Sequence, residues 1–156
     1  MISLMNVLVG TDFSDCSQTA LEHGRGLAAQ FNVSLHVLHV VTEPLHEVWA
    51  CYAPGAGFLE SVERLELEAR KRMEPLTQSA ELGTDRVIIA TAWGEPSEQI
   101  LKYARTHRID LIVCGTHGRR GWDHMVMGSV AERVVRFAPC PVLTVTASVG
   151  EIVAAA

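Results

Sequence analysis

No apolar run in these 156 residues approaches the ~20 consecutive positions that a bilayer-spanning helix needs. The opening segment, Met1 to Gly10, has no basic stretch ahead of an apolar one, which argues against a secretory signal and for a cytoplasmic protein. Cysteine is sparse as well. Cys16, Cys51, Cys114 and Cys140 are scattered without C-x-x-C spacing, so neither a zinc site nor a disulfide framework is indicated and the thiols read as reduced. Positive charge is in deficit: 13 Lys and Arg face 18 Asp and Glu, a net charge of −5, which argues against general nucleic-acid binding, since that usually needs a basic face. Two nucleotide motifs are missing too. There is no G-x-x-x-x-G-K-[ST] phosphate loop, and the first strand ends in Gly-Thr-Asp-Phe-Ser rather than G-x-G-x-x-G.

What is present is one domain's length of chain with an ordinary globular balance of apolar and charged residues. Its positive charge is concentrated. Between Leu101 and Cys140 stand Lys102, Arg105, Arg108, Arg119, Arg120, Arg133 and Arg136, against Asp110, Asp123 and Glu132. An acidic protein with one basic segment suits a single small anion better than a polyanion.

Strand and helix signals alternate along the chain. Met5 to Gly10 reads as a buried strand, Asp12 to Asp15 offers several N-cap side chains, and Ala20, Gly24, Leu27, Ala28 and Phe31 follow at helical spacing. Asn32 closes that helix, and Val33 to Val41 is a second strand. Thr42 to Gly57 has no steady period; at about 16 residues it is long for a connection in a compact domain and reads as functional or mobile. Trp49, Tyr52 and Phe58 could form a lid or a partner surface there, or only anchor the loop. A long helix is expected from Phe58 to Leu82, with Val62, Leu65, Ala69, Met73 and Leu76 on one face and Pro75 kinking it or ending its first part. Its i,i+4 pairs Glu60–Arg64, Glu66–Arg70 and Glu68–Arg72 are each worth ~0.3 kcal/mol on an exposed face.

Arg86 to Ala92 is the third strand, Gly94-Glu95-Pro96-Ser97 opens a helix to about Thr106, and Ile109 to Cys114 is the fourth strand. A glycine loop, Gly115 to Gly128, leads into a helix from Ser129 to about Phe137. Val142 to Val145 is the fifth strand. The pattern predicts an α/β fold, a doubly wound five-stranded parallel sheet with helices on both faces, occupying residues 1–146 as a single domain with a flexible tail over 147–156. In such sheets ligands bind beyond the carboxyl ends of the strands, where the strand order reverses.

The glycine loop reads G-x2-G-x9-G-S, from Gly115 and Gly118 to Gly128 and Ser129. Gly115 and Gly118 can take positive φ and let backbone N–H groups approach a phosphate, while Gly128 and Ser129 stand at a helix start that favours negative charge. Ser129 can donate a hydroxyl or serve as the N-cap. The same glycines could make only a tight turn, and the spacing by itself leaves both readings open.

That spacing resembles the ATP-binding signature of the universal stress proteins. The resemblance extends to VLVGTDFSD, LHVLHVV, GEPSEQI, DLIVCGTHGRRG and GSVAERVVRFAPCPVLTV, nearly the whole chain. It implies a Rossmann-like sheet of the adenine nucleotide alpha-hydrolase-like kind holding ATP, ADP or AMP, with Mg²⁺ carried mainly by the phosphates. It implies that Asp12, with Thr11 beside it, lies near ribose and adenine, and that the Val40 backbone meets the adenine edge. Cys114 and Gly115 would flank the ribose, and Gly118, Gly128, Ser129 and Val130 would hold the phosphates. Gly10 departs from the Pro or Ala that relatives often carry before Thr-Asp. The resemblance also implies a homodimer through the edge strand Pro141–Val145 and an unidentified protein partner.

Several residues keep two readings. Asp12 could be a ligand contact or the N-cap of the first helix. Arg119 and Arg120 could reach terminal phosphates, or be solvated loop charges. His117, Asp123 and His124 offer no clear metal-ligand geometry and read as solvated. His36 and His39 read as paired core residues, and Cys114 as a buried thiol rather than a nucleophile. The leading expectation is a nucleotide-dependent regulatory protein. A slow ATP hydrolase or phosphotransfer enzyme, a nucleotide-independent structural adaptor and a flavodoxin-like flavin protein are the alternatives.

Overall fold

The computed structural model describes residues 4–42, 56–77, 86–116 and 127–146, with the side chains of the helix over 56–77 described at 63–75. Trp49, Tyr52, His117, Gly118, Arg119, Arg120, Asp123 and His124 lie outside the described residues. Within them the chain runs β1 (Asn6–Thr11), α1 (Asp15–Phe31), β2 (Ser34–Val41), α2 (Ala56–Thr77), β3 (Val87–Trp93), α3 (Pro96–Thr106), β4 (Leu111–Gly115), α4 (Ser129–Phe137) and β5 (Val142–Val145). All strand pairs are parallel, in the order β3-β2-β1-β4-β5. The doubly wound sheet expected from the sequence is the sheet observed.

Period-two alternation divides the strand side chains between two cores. Val7, Val9, Leu35, Val37, Val113 and Val145 pack against Ala20, Leu21 and Ala28 of α1 and Met73 of α2. On the opposite face Leu8, Leu38, Val40 and Ile112 meet Ile100 and Ala104 of α3 and Val134 of α4. Leu8, Leu35, Met73 and Ile112 are completely buried, each worth about 1.5–3 kcal/mol of transfer free energy. Of the predicted face of α2, Ala69 and Met73 are buried. Pro75 falls in the last turn, so the helix runs two residues past it instead of ending there. Two of that helix's expected ion-pair partners have other contacts: Glu66 accepts from the Trp93 indole at 2.8 Å, and Arg72 covers the Phe13 ring.

Local chemistry sets the ends of α1. Ser14, in extended conformation, accepts from the Ser17 amide at 3.3 Å and is the N-cap, so Asp12 is not. Asn32 ends the helix in the left-handed conformation, φ 57°. The third strand, at an edge, is half-exposed along most of its length, and Ile88 is exposed.

His36 supplies a pH-dependent element of stability. The residue is buried, its Nδ1 lies 3.0 Å from the Tyr103 hydroxyl, and the Tyr103 ring stacks on His107 at 3.8 Å between centroids. Burial, and then the neighbouring His107, lowers its pKa from the ordinary 6.5. The folded state therefore favours neutral imidazole while the unfolded chain binds the proton first as pH falls. This contribution is complete above pH 6.5 and is lost as pH falls from 6.5 through the lower folded-state value. Urea midpoints at about pH 7.5 and about pH 5.5 should show the wild type less stable at the lower pH, and His36→Gln should reduce that difference. An equal difference in both proteins would remove His36 from the account.

Candidate nucleotide site

The strand order reverses between β1 and β4, whose carboxyl ends therefore flank a crevice. On the β1 side Thr11 is buried. Its hydroxyl lies 3.2 Å from Ser17 Oγ and accepts from the Phe13 amide at 3.1 Å, and its carbonyl accepts from His39 Nδ1 at 2.8 Å. Asp12 follows. One of its carboxylate oxygens, Oδ1, accepts from the Ser14 amide at 3.0 Å and the Ser14 hydroxyl at 2.5 Å. The carboxylate thus orients the capping serine, and the turn between them passes through Phe13 at φ 65°.

On the β4 side Cys114 is buried opposite Thr144, and burial pushes its thiol up to about 11, so it stays protonated near neutrality. Gly115 differs from expectation. The only glycine with positive φ among the described residues is Gly94, at 126° after β3. Gly115 is required for close approach instead: a Cβ there would lie 2.8 Å from Cys16 Cβ, 2.9 Å from its carbonyl carbon and 3.0 Å from its carbonyl oxygen. The first turn of α1 rests directly on the end of β4.

Thr116 then ties the sheet to the next helix. Its amide donates to the Val145 carbonyl at 2.8 Å, and its own carbonyl accepts from the Gly128 amide at 2.7 Å. The start of α4 is thereby fastened beside the ends of β4 and β5. Gly128 is the N-cap, with extended φ −60° and ψ 147°, and no side-chain hydrogen bond closes the cap. Ser129 is the first helical residue and Val130 the second, so Ser129 is not the cap. A helix begun in this way leaves its first amides and the positive end of its dipole for an external anion. Arg133, one turn on, lies 3.7 Å from Glu95 and 3.2 Å from Glu98 at the start of α3. Both pairs are about half exposed and worth little by themselves.

Of the residues predicted for the site, Thr11 and Asp12 lie at the end of β1, Cys114 and Gly115 at the end of β4, and Gly128, Ser129 and Val130 at the start of α4. Val40 is buried near the end of β2, opposite Ala92 of β3. Gly118 and Arg119 lie outside the described residues. Thr116, Phe13 and Arg72 were not foreseen. The hydrogen bonds of Thr116 run through its backbone amide and carbonyl, which leave no mark in the sequence, and a left-handed phenylalanine has no sequence signal.

A family model for the universal stress proteins matches residues 4–146. The chain belongs to the universal stress protein family. It is 32% identical over 141 residues to universal stress protein MJ0531 of Methanocaldococcus jannaschii, covering 89% of this chain and 80% of that protein. It is 33% identical over 144 residues to universal stress protein YxiE of Bacillus subtilis, covering 89% and 97%. Among solved structures, that of MJ0577 has a TM-score of 0.75 at 29% identity over 91% of this chain and 95% of that one. A universal stress protein crystallised in complex with cAMP has a TM-score of 0.60 at 25% identity, over 92% and 98%. No helix among the described residues is long and apolar enough to cross a membrane.

Proposed function

We propose that this universal stress protein binds an adenine nucleotide, ATP in the first instance, in the crevice between β1 and β4. The observation that carries the reading is the start of α4, capped by a glycine without a side chain and held beside β4 by the Gly128–Thr116 hydrogen bond. Phosphates would sit on the amides of Ser129 and Val130, with the Ser129 hydroxyl and the loop residues Gly118 and Arg119 adding donors. Asp12 and Thr11 would face the sugar, with Cys114 and Gly115 flanking it. The backbone of Val40 would meet the base. A relative crystallised with cAMP supports the adenine class. These residues suit an anion, and among the described residues no group of three or more His, Cys, Asp or Glu is placed to hold a metal. Mg²⁺ would enter on the phosphates, neutralising them, and Asp12 is the one carboxylate of the set.

The role that follows is regulatory. Ligand can switch such a protein only through differential affinity for two arrangements of its loops, and thereby alter its affinity for a protein partner. Residues 1–146 would act as one domain, dimerising through the edge of β5, where Leu143 is exposed. The protonated Cys114 thiol offers no nucleophile for a hydrolase.

Denaturing protein that was purified without added nucleotide, followed by chromatography of the supernatant, tests this reading. Adenine nucleotide at near one per chain is expected, and the phosphate count reports any hydrolysis. A supernatant free of nucleotide, from protein that also fails to take up ATP with Mg²⁺, would leave the adaptor alternative.

A further inference from the structure

Phe13 is held in a conformation that a bulky side chain rarely adopts. Its φ of 65° lies in the left-handed region, and such outliers persist only where the surroundings over-determine them. Three elements converge on this one residue. Its amide donates to Thr11 Oγ1 at the end of β1. The ring of His39, from β2, lies 4.6 Å from its own ring, and His39 is itself fixed by the Thr11 carbonyl. From α2, the guanidinium carbon of Arg72 stands 4.0 Å from the Phe13 ring centroid. The residue after Arg72 is Met73, which is completely buried, so the helix that carries the cation is anchored in the core.

The left-handed turn has a direct result. It folds Ser14 back so that both its amide and its hydroxyl donate to Asp12 Oδ1, which fixes the carboxylate at the mouth of the crevice. We infer that Phe13 is the positioning residue of the crevice, and that Arg72 is the cation that keeps Phe13, and through it Asp12, in place. This inference rests on the nucleotide reading for its ligand, and it divides the site into two ends. The sugar end, at Asp12, depends on α2. The phosphate end, at the start of α4, does not. Packing of α2 is thereby coupled to nucleoside recognition, although Arg72 is not among the residues proposed to contact the nucleotide.

The test compares wild type, Arg72→Gln and Arg72→Lys with two titrants, ATP and inorganic tripolyphosphate, and follows amide exchange at Ser14 and Ser17 by NMR. Arg72→Gln should weaken ATP about twofold to fivefold, the range expected for an exposed cation–π contact, and leave tripolyphosphate affinity unchanged. Arg72→Lys should restore ATP affinity, and the two amides should exchange faster only in Arg72→Gln. Unchanged exchange at Ser14 and Ser17, or equal losses for both titrants, would overturn the inference. If the wild type binds neither titrant while Arg72→Gln still frees the Ser14 amide, the nucleotide reading falls and the Arg72–Phe13 clamp on Asp12 stands.

Discussion

Gly115→Ala is expected to lower unfolding free energy by about 1–3 kcal/mol, the range for overpacking a close contact. The added Cβ would meet the Cβ, carbonyl carbon and carbonyl oxygen of Cys16 at 2.8–3.0 Å. Two of those three atoms are backbone, so no side-chain rotation can relieve the contact. The first turn of α1 must move off β4, and that turn carries Ser14 and, through it, Asp12. Nucleotide affinity should therefore fall along with stability. Gly26→Ala is the control within the same helix. A Cβ there meets nothing within 4 Å, and replacing glycine by alanine in a helix gains roughly 0.5–1 kcal/mol. Urea unfolding should move the two midpoints in opposite directions at unchanged m-value. A neutral Gly115→Ala would show that α1 does not rest on β4 as described.

That contrast shows what could be read from the residues. The alternation of buried strands and amphipathic helices is strong enough to give the sheet, since VLVG, LHVLHVV and DLIVC are near-continuous apolar runs and parallel strands are buried on both faces. Cap chemistry placed the start of α3 and the end of α1, because Glu95-Pro96 and Asn32 act locally. Gly115 stands where a side chain would collide with α1, and positive φ is not the cause. Sequence favoured positive φ, and the reason lies in Cys16, which is remote along the chain and adjacent in space. The assignment of Ser14 as cap and Asp12 as its orienting partner could not be separated in a run of Asp12, Ser14 and Asp15, where each side chain can cap. Phe13 was invisible because its conformation is imposed from β2 and α2, elements whose approach only the tertiary fold determines.

Gly128→Asp is the second variant with a large expected effect, and it separates binding from folding. The backbone at this position is extended, with φ −60° and ψ 147°, dihedrals that L-residues commonly adopt. An aspartate would cap α4 from within, satisfying a helical amide and placing a negative charge at the positive end of the dipole. Stability should rise by a few tenths of a kcal/mol, since glycine is already a tolerated cap. Affinity for ATP should drop tenfold or more, about 1.4 kcal/mol, because the carboxylate takes the amides and repels the phosphates. Weaker binding in a variant of undiminished stability cannot be attributed to unfolding.

The crevice is tested most directly by calorimetric titration of the wild-type chain with ATP and Mg²⁺, run beside Gly128→Asp. The account predicts saturable binding near one nucleotide per chain in the wild type, and at least tenfold weaker binding in the variant. Equal affinities in the two proteins, or no heat in either, would contradict a phosphate site at the start of α4.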